Sequence, residues 1–384
     1  MLSKKGISRN YSFAAPDLGY IGHVNKSMIL HVTDAYAAGV MTAINELALM
    51  QSNQGHLVTV LVLERKETVY DAEEIDPKIK IINIGKLSLF GLFRMLLYII
   101  KNANNFSFIH LHSSRAGFLG RLVLIFKRIP VVLYTPHGFS FIRRDINHFE
   151  KQVFISLEKF MAKISNATIL AVSIEEAKLA TKIGNENVQL LHNAISIPSE
   201  FCNYERYSNQ IRKWKIAFVG RNTPAKDPFF FLHLAREMKN HAEFIWIGAS
   251  SDEFMPDEIP ANLSMLGFLP RKKALEALSE ANAMIVTSIW EGLPTNIIEA
   301  QMLGILVFQR DTLEIPELIE NERTGIVFKN ANDLDLILGD SDLYIKAKRI
   351  SLQARDQAFQ NFSSFSEDAG WLKAYQNSKF LAMK

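Results

Sequence analysis

Short apolar runs alternate with longer amphipathic stretches along most of this chain. Runs bounded by polar or turn residues, such as 28–33 and 283–287, have the length of buried strands. Between them lie stretches whose apolar positions repeat at helical spacing, such as 39–51 and 148–164. Because parallel sheets covered by helices on both faces show this alternation, the pattern predicts an α/β fold.

The same pattern predicts the position of each element and the division into domains. The predicted strands are 28–33, 57–63, 79–84, 107–112, 130–135, 168–172, 188–191, 215–219, 243–248, 263–266, 283–287, 305–308 and 325–328. Further helices are predicted near 227–239, 271–280, 294–303, 314–320 and 365–381. The polar segment 196–212 has no clear period, so we interpret it as a linker between domains at 28–195 and 213–362, with a last helical segment at 363–384.

Composition and charge narrow the class of protein. The 384 residues are 48% hydrophobic and 22% charged, which allows two ordinary domains and excludes a disordered chain. The formal net charge of +3 gives no reason to expect nucleic acid as a partner. The single cysteine, Cys202, cannot form an internal disulfide, which favours the cytoplasm. Residues 1–27 contain no apolar run of signal-peptide length, so we expect a mobile arm before the first strand, with Met28 as a hypothetical natural start.

Two basic, apolar stretches raise the question of membrane contact. The stretch 87–100 is short of the roughly 20 residues that span a bilayer, and 118–130 is similar. The basic residues that accompany them are Lys86, Arg94, Lys101, Arg121, Lys127 and Arg128. We expect both stretches to pack on the sheet, and peripheral contact with a lipid interface is the alternative.

A turn rich in potential ligands follows the predicted strand 283–287. It reads W-E-G-L-P-T-N-I-I-E from Trp290 to Glu299. Pro294 suits the first position of a helix, and the free N–H groups around it would bind an anion at the carboxyl edge of the sheet. With a phosphate there, Glu291 and Glu299 can accept hydrogen bonds from hydroxyls on either side of it. A nucleotide-sugar presents such hydroxyls.

This string resembles the Glu-x7-Glu signature of retaining glycosyltransferases of the GT-B fold, in particular glycosyltransferase family 4. The resemblance implies two Rossmann-like domains facing a central cleft, and a C-terminal helix that packs back on the N-terminal domain. It also implies that Glu291 approaches hydroxyls of the donor sugar and that Glu299 approaches the ribose. The donor-site residues assigned from the turn itself are Leu293, Pro294, Thr295 and Asn296.

A second motif begins the C-terminal domain. Gly220 allows a sharp turn after a strand, and Arg221 and Lys226 place two cations at the carboxyl edge of the sheet, where a diphosphate fits. The motif resembles the Gly-Arg…Lys-Gly element of family 4. That resemblance implies that Arg221 and Lys226 bind the donor pyrophosphate and stabilise the leaving nucleoside diphosphate. Asp227 departs from the pattern, because the family often has glycine at this position of the turn.

The first predicted turn between strand and helix shows a similar departure. Gly39 lets the backbone approach a phosphate or sugar, and Ala38 replaces the first glycine of the Gly-Gly pair common in family 4. The replacement is tolerable if Ala38 keeps a negative φ. The turn is not GxGxxG, which argues against a nicotinamide dehydrogenase. Phe268, in the string L-G-F-L-P, resembles the family's loop that meets the nucleotide base.

Histidines concentrate at strand ends. His110 and His112 share one face of their strand, but no carboxylate accompanies them at ligand spacing, so we expect packed histidines and no metal. His137 precedes Gly138 and resembles the His-Gly site beside the donor sugar, where it would orient a sugar hydroxyl or the reacting centre. The string Asp333-Leu334-Asp335 spells a DxD metal signature of another transferase fold, and we interpret it as the solvated face of a helix.

The function implied by this resemblance is retaining transfer of a hexose from a nucleoside-diphosphate sugar, with UDP as the first choice of nucleotide. The implied acceptor is a glycan or polyprenyl-linked glycan in surface-polysaccharide synthesis. No cofactor is expected, because Arg221, Lys226 and the helix N–H groups would hold the leaving diphosphate without a metal. The expected location is the cytoplasm, including the inner face of its membrane. The alternatives are a nucleotide-sugar epimerase or hydrolase and a catalytically silent adaptor of the same fold.

Overall fold

The computed structural model describes residues 26–65, 76–125, 131–201, 206–207, 213–313 and 315–382. Most of the predicted arm and parts of the predicted linker, including Cys202, lie outside the described residues. The same holds for Lys127 and Arg128 of the second basic stretch.

The N-terminal domain is built on a seven-stranded parallel sheet. Its strands are β1 (Met28–Thr33), β2 (Leu57–Glu64), β3 (Lys80–Lys86), β4 (Phe108–His112), β5 (Val131–Thr135), β6 (Thr168–Ala171) and β7 (Val188–Leu190). Its helices are α1 (Ala38–Asn53), α2 (Leu89–Asn102), α3 (Ser114–Leu124), α4 (His148–Ile164) and α5 (Ile174–Lys182). The strand order β3-β2-β1-β4-β5-β6-β7 reverses direction between β1 and β4. In such sheets ligands bind at the carboxyl ends of the strands that flank the reversal.

The C-terminal domain repeats this plan with six parallel strands. They are β8 (Trp214–Val219), β9 (Ala242–Ile247), β10 (Leu263–Met265), β11 (Ala283–Val286), β12 (Leu306–Arg310) and β13 (Ile326–Phe328). The helices are α6 (Pro228–Glu237), α7 (Arg271–Ser279), α8 (Thr295–Met302), α9 (Ala331–Gly339) and α10 (Leu343–Phe362). The order β10-β9-β8-β11-β12-β13 reverses between β8 and β11. Each of these two strands therefore ends at a place suited to a ligand.

The last helix, α11 (Ser364–Ala382), returns to the N-terminal domain. Trp371 and Tyr375 are buried against side chains of the first sheet, including Phe108 and Leu133. At the junction between α10 and α11, the N–H of Ile195 donates to the carbonyl of Phe362 at 2.8 Å. The chain thus crosses between the domains twice.

The predicted α/β fold is confirmed, and each of the thirteen predicted strands is present with ends that differ by at most two residues. The predicted helix at 314–320 is wrong. Residues 316–318 form turns, and Glu314 lies outside the described residues. The N–H groups of Leu318 and Ile319 both donate to the Ile315 carbonyl at 3.0 Å, which closes a single turn, and side chains of Gln301 and Thr324 donate to the Leu318 carbonyl at 2.7 and 2.9 Å.

The two basic, apolar stretches pack on the sheet only in part. Met95 and Ile99 of α2 are buried in the core, whereas Leu89 and Phe90 are mostly exposed. Arg121, which we counted among the cations near a lipid interface, is instead buried in an ion pair with Glu158 at 2.7 Å. It stacks over the Tyr134 ring, so it is not available to a membrane. In the described part of the chain, the helices lack the combination of length and hydrophobicity needed to cross a bilayer.

Candidate functional site

A cavity of about 350 Å³ lies between the two domains, and we call it the interdomain cavity. Its walls come from the turn after β1, the His137 turn after β5, the ends of β8 and β9, and the turn that leads into α8. The predicted site residues that line it are His137, Glu291, Arg221, Lys226, Gly39, Gly220, Phe268, Leu293, Pro294, Thr295, Asn296 and Glu299. The fold therefore brings together all twelve residues, and their individual roles stay predictions.

Lys226 and Glu291 form an ion pair at the floor of the cavity. Lys226 Nζ lies 2.6 Å from Glu291 Oε1, and each side chain is 18% exposed. The Ser288 hydroxyl also donates to Glu291 Oε1, at 2.9 Å. The Thr287 hydroxyl donates to the Lys226 carbonyl at 2.6 Å and holds this turn against the end of β11. An anionic ligand that bound Lys226 would compete with Glu291 and release its carboxylate toward a neutral hydroxyl.

The turn around Asp227 explains the departure from glycine at this position. Asp227 has φ of 47°, in the left-handed region that glycine adopts easily and Asp tolerates. Its side chain accepts from the N–H of Phe230 at 3.3 Å and caps α6. It also pairs with Arg310 at 2.6 Å. The aspartate thus keeps the glycine-like backbone and adds two contacts that secure the turn carrying Lys226.

Glycines allow the strand ends to approach one another at the other wall. A Cβ atom on Gly248, whose φ is 119°, would lie 2.6 Å from the Gly220 carbonyl oxygen. That carbonyl also accepts from the indole of Trp246 at 2.8 Å. A side chain at Gly248 would therefore displace the backbone that carries Arg221.

The N-terminus of α8 points into the cavity. Pro294 precedes the helix and has no N–H to offer, but within the described residues the N–H groups of Leu293, Thr295 and Asn296 make no hydrogen bonds. The Asn296 side chain donates to the Val219 carbonyl at 2.9 Å and ties α8 to the end of β8. Free N–H groups and the helix dipole together suit an anion in the cavity that Lys226 also lines.

Glu299 is held by an arginine that the sequence patterns did not indicate as functional. Arg271 Nε lies 3.1 Å from Glu299 Oε1, and its Nη1 lies 3.1 Å from Glu46 Oε1 in the N-terminal domain. The same guanidinium donates to the Ser196 carbonyl at 2.8 Å. Burial raises the pKa of Glu299, and Arg271 opposes that rise. Arg271 thus bridges the two domains at the predicted ribose contact.

A sequence signal for Arg271 did exist. It opens a predicted helix together with Lys272 and Lys273, and positive charge at a helix N-terminus is unfavourable for the helix dipole. Glu46 likewise places a charged residue among the buried positions of α1. Both features conflict with local propensity, and such conflicts are common at functional sites.

The His137-Gly138 turn is strained and firmly anchored. His137 has φ of 52° and Gly138 has φ of 92°. The N–H of Gly138 donates to Glu176 Oε1 at 2.6 Å, and the N–H of Val172 donates to Glu176 Oε2 at 2.9 Å. Burial raises the pKa of Glu176 to about 7, although the two hydrogen bonds act to lower it. Glu176, another residue that we did not predict, therefore holds the turn that carries His137.

The first turn of the N-terminal domain corrects one expectation. Ala38 has φ of 48°, so the condition that it keeps a negative φ is wrong. The turn must lead from the extended Ala37, at φ of −160°, directly into α1, and a left-handed residue achieves this. For an alanine that conformation costs about 1 kcal/mol relative to the usual region. Gly39 then faces Thr295 across the cleft, where a Cβ atom would lie 2.5 Å from the Thr295 hydroxyl.

Three histidines meet behind the cavity. His110 and His112 share a face as predicted, and His31 joins them so that three ring nitrogens lie within 4.8 Å of one another. Such a group could hold a metal ion, but His31 and His112 already bond to each other at 2.9 Å, and His110 bonds to Tyr375 at 2.8 Å. The prediction of packed histidines without metal stays a prediction. The DxD string is outside this site, since the Asp333 carboxylate accepts from the N–H of Lys329 at the start of α9 and Asp335 is exposed on that helix.

Comparison with known proteins adds independent information. The family model described as Glycosyltransferase Family 4 matches residues 37–197, and that of Glycosyl transferases group 1 matches residues 205–344. An uncharacterized 41.2 kDa protein in the cps region of Klebsiella pneumoniae is 28% identical over 334 residues, which cover 82% of this chain and 90% of that protein.

Two further proteins extend the comparison. The Escherichia coli UDP-Gal:alpha-D-GlcNAc-diphosphoundecaprenol alpha-1,3-galactosyltransferase is 24% identical over 268 residues, 62% of this chain and 66% of that enzyme. The crystal structure of HepE from Anabaena, in complex with UDP and glucose, superposes with a TM-score of 0.72 at 14% identity, over 91% of this chain and 100% of that one.

Two Rossmann-like domains, the cavity between them and these matches define a glycosyltransferase of the GT-B fold. The chain belongs to the group 1 glycosyltransferases, with an N-terminal domain of the Family 4 type. The predicted family and the predicted class of enzyme are thereby confirmed.

Proposed function

We propose that this enzyme transfers a hexose from a nucleoside-diphosphate sugar, with UDP as the nucleotide, to a lipid-linked glycan. The observation that carries the proposal is that Arg221, Lys226 and the start of α8 line one interdomain cavity, where they could hold an anion. Glu291 and Glu299 line the same cavity. The galactosyltransferase named above uses a UDP-sugar and a diphosphoundecaprenol-linked acceptor, which supports these two choices.

In the proposed reaction, fixed positive charge stabilises the leaving diphosphate. Arg221, Lys226 and the N–H groups at the start of α8 would neutralise the charge that develops on the phosphate oxygen as its bond to the sugar breaks. Binding of the diphosphate by Lys226 would free Glu291 from the ion pair seen at 2.6 Å. Glu291 could then accept hydrogen bonds from hydroxyls of the transferred sugar, as the family resemblance implies.

We also propose that the sugar is transferred with retention at the anomeric carbon. The acceptor oxygen would attack from the face that the diphosphate leaves, and the acceptor proton would pass to the departing phosphate oxygen. The bond from the anomeric carbon to phosphate breaks while the bond to the acceptor oxygen forms, so no enzyme carboxylate need become bonded to the sugar. NMR of the product decides this point, because an inverted anomeric configuration would exclude the same-face reaction.

A second cavity offers a place for the acceptor. This side cavity, of about 300 Å³, is lined by the His137-Gly138 turn, by α5 and by Trp290, and it shares Glu291 and Gly292 with the interdomain cavity. Arg144, just before α4, contributes a cation to its wall. An acceptor glycan in the side cavity would therefore reach the donor sugar beside Glu291. The phosphate of a lipid-linked acceptor would then lie near Arg144.

An exposed surface on the same domain suits a lipid-linked acceptor. We define the apolar face as the exposed side chains Leu89, Phe90, Phe93 and Ile100 of α2 and Phe149, Val153, Leu157, Phe160 and Ile164 of α4. Both helices pack against α3, so they lie on the same side of the sheet. Lys151, Lys159 and Lys163 of α4 are exposed nearby. We propose that this face rests on the anionic inner surface of the cytoplasmic membrane.

Turnover against a panel of UDP-, GDP- and ADP-sugars tests the proposal. The acceptors are synthetic polyprenyl-diphosphate glycans in vesicles, and the readout is radiolabelled sugar in the lipid fraction. We expect incorporation from a UDP-hexose. Free sugar or an epimerised nucleotide-sugar as the sole product would favour the hydrolase or epimerase alternative, and no donor binding would favour the silent adaptor.

A further inference from the structure

A row of histidines leads from the interdomain cavity into the N-terminal sheet. His137 Nε2 lies 3.1 Å from His112 Nδ1, and His112 Nε2 lies 2.9 Å from His31 Nδ1. The row ends on α1, where His31 Nε2 lies 2.8 Å from Gln51 Oε1. We call His137, His112 and His31 the histidine chain. His112 and His31 are fully buried, whereas His137 reaches the cavity.

All three rings of the histidine chain are neutral near pH 7. Burial lowers the pKa of His31 and of His137 to about 4. Burial, reinforced by the neighbouring histidines, lowers the pKa of His112 well below its usual value. A neutral imidazole carries a single N–H, so one of its nitrogens donates and the other accepts.

The group at the end of the row decides which nitrogen carries the proton. An amide oxygen can only accept, so His31 donates to Gln51 from Nε2 and its Nδ1 must accept. His112 therefore donates from Nε2 and accepts at Nδ1, and His137 in turn donates from Nε2. This leaves His137 Nδ1 unprotonated, and within the described residues it has no hydrogen-bond partner.

A second branch of hydrogen bonds fixes the tautomer of His110. The Thr135 hydroxyl donates to the Leu170 carbonyl at 2.8 Å, so it accepts from His110 Nε2 at 2.8 Å. His110 Nδ1 must then accept from the Tyr375 hydroxyl, also at 2.8 Å. Burial raises the pKa of Tyr375, and the nearby Gln51 side chain opposes that rise. The Gln51 oxygen faces His31, whereas the Gln51 NH₂ group is buried without a hydrogen-bond partner among the described residues.

We propose that Gln51 is a positioning residue that, through the histidine chain, holds His137 in the tautomer with an unprotonated Nδ1 available in the interdomain cavity. His137 then presents a hydrogen-bond acceptor to a hydroxyl of the bound donor sugar, and the identity of that ligand rests on the proposed function. The row does not carry protons away from the site. The Gln51 amide at the end of the row is not a base. The row can therefore fix one arrangement of protons but cannot accept an additional proton from the site.

The tautomers can be observed directly in the free enzyme. NMR of protein labelled with ¹⁵N in its histidines distinguishes protonated from unprotonated ring nitrogens, and the signals of His137 are assigned by their loss in His137→Asn. At pH 7 we expect His137 protonated on Nε2 alone. Protonation of His137 on Nδ1, or on both nitrogens, would overturn the proposal without any variant of Gln51.

Two substitutions of similar size separate the hydrogen bond from packing. Gln51→Met removes the acceptor, so His137 should show a mixture of tautomers and turnover should fall about tenfold, the worth of one hydrogen bond. Gln51→Glu, compared with the wild type at pH 9 so that burial does not leave its carboxyl protonated, keeps an oxygen that can only accept, so it should restore the single tautomer and most of the lost turnover. His110 serves as an internal reference, because the Leu170 carbonyl sets its tautomer independently.

The outcomes distinguish this inference from the proposed function. Equal losses of turnover in both variants with an unchanged His137 tautomer would show that Gln51 acts only by packing. A change at His110 as well would indicate general repacking and would equally overturn the proposal. If the wild type transfers no hexose, the proposed function fails, yet the spectrum of the free enzyme still decides whether Gln51 sets the tautomer.

Discussion

Lys226 illustrates how much one residue contributes at this site. It is one of the cations aimed at the anion-binding position, and in the free enzyme it is paired with Glu291 at 2.6 Å. The pair keeps both charges satisfied in a partly buried place until a ligand arrives. Diphosphate binding would replace the hydrogen bond from Lys226 to Glu291 by one from Lys226 to the phosphate. The Lys226 charge would therefore be paired both before and after the ligand binds.

Replacing Lys226 by methionine should lower kcat/KM for the nucleotide-sugar by about 100-fold, because a fixed cation that stabilises the leaving group is lost. The unfolding free energy should change by no more than about 1 kcal/mol, since the side chain lies at a cavity wall. Initial rates of sugar transfer and a denaturation curve check both statements. Lys213→Met is the matched control, because Lys213 pairs with Glu243 on an exposed edge of the same domain.

The buried histidines predict a dependence of stability on pH. The pKa of His31 is about 4 in the folded state, below the ordinary value of 6.5 that the unfolded chain has. The unfolded state therefore binds more protons between these values, and the stabilisation present above pH 6.5 is lost as the pH falls toward 4. For His31 alone the unfolding free energy should fall by about 2 kcal/mol between pH 7 and pH 5. Urea unfolding at the two pH values measures the change.

Glu176 acts in the opposite direction and must be separated from the histidines. Its folded pKa of about 7 exceeds the ordinary 4.5, so its contribution to stability grows as the pH falls through this range. His31→Asn removes the contribution of His31 and leaves Glu176 in place, so the stability of this variant should depend less on pH than that of the wild type. The same loss between pH 7 and pH 5 in both proteins would contradict the assignment to His31.

At the scale of elements, the cleft is closed by contacts that only glycine permits. Gly39 at the start of α1 meets Thr295 at the start of α8. Gly292 meets Gly138, and a Cβ atom on Gly292 would lie 2.8 Å from the Gly138 nitrogen. The turns that carry the predicted catalytic residues of the two domains therefore touch directly, backbone against backbone.

Gly39→Ala should hold the domains apart, because the added methyl group would lie 2.5 Å from the Thr295 hydroxyl. Overpacking of this kind costs about 1–3 kcal/mol, which should appear as a roughly tenfold weaker binding of the nucleotide-sugar. Isothermal titration calorimetry measures the affinity. Gly339→Ala is the control, since its added atom would meet only His241 at 3.9 Å, and equal affinities in the two variants would count against closure at Gly39.

Helix α4 should bind vesicles through the apolar face. The double substitution of Phe149 and Phe160 by serine should reduce binding to anionic vesicles about tenfold or more, because two exposed aromatic side chains lose their contact with lipid. Co-sedimentation with vesicles measures the effect. Phe229→Ser is the matched control, as Phe229 is similarly exposed but lies on α6 of the other domain. Undiminished binding by the double variant would place the membrane contact elsewhere.

At the scale of the whole molecule, two copies of one α/β plan place their ligand-binding edges face to face. Each sheet reverses its strand order once, beside β1 in one domain and beside β8 in the other. Arg271 joins the domains by contacting Glu46 on one side and Glu299 on the other. The positive charge at the predicted donor site thus comes from side chains and N–H groups that belong to the fold itself.

Because that charge is fixed, transfer should not depend on a divalent cation. Turnover after exhaustive treatment with EDTA should stay within about twofold of the untreated enzyme, as protein cations can take the place of a metal at a diphosphate. Initial rates with and without added Mg²⁺, Mn²⁺ or Zn²⁺ make the measurement. Loss of activity that a metal restores would direct attention to His31, His110 and His112, whose ring nitrogens lie close enough to share an ion.

How much the sequence could predict depended on the range of the interactions involved. The strands and the motifs around Gly220 and Glu291 could be predicted from the sequence, because hydrophobic period and turn chemistry are local properties. The turn at 316–318 could not be predicted in this way, because its Leu318 carbonyl accepts a hydrogen bond from the Gln301 side chain of another element. Arg271 and Glu176 were missed for the same reason, since their partners lie far away along the chain.

The sequence by itself therefore determined the α/β class, the strands, the family resemblance and the set of residues that line the interdomain cavity. Only the tertiary structure decided the pairing of Lys226 with Glu291, the glycine contacts across the cleft and the histidine chain that ends at Gln51. The reason is physical. Periodicity and turn chemistry act over a few residues, whereas a hydrogen bond between β1 and β4, or between two domains, exists only after the sheets have placed distant residues side by side.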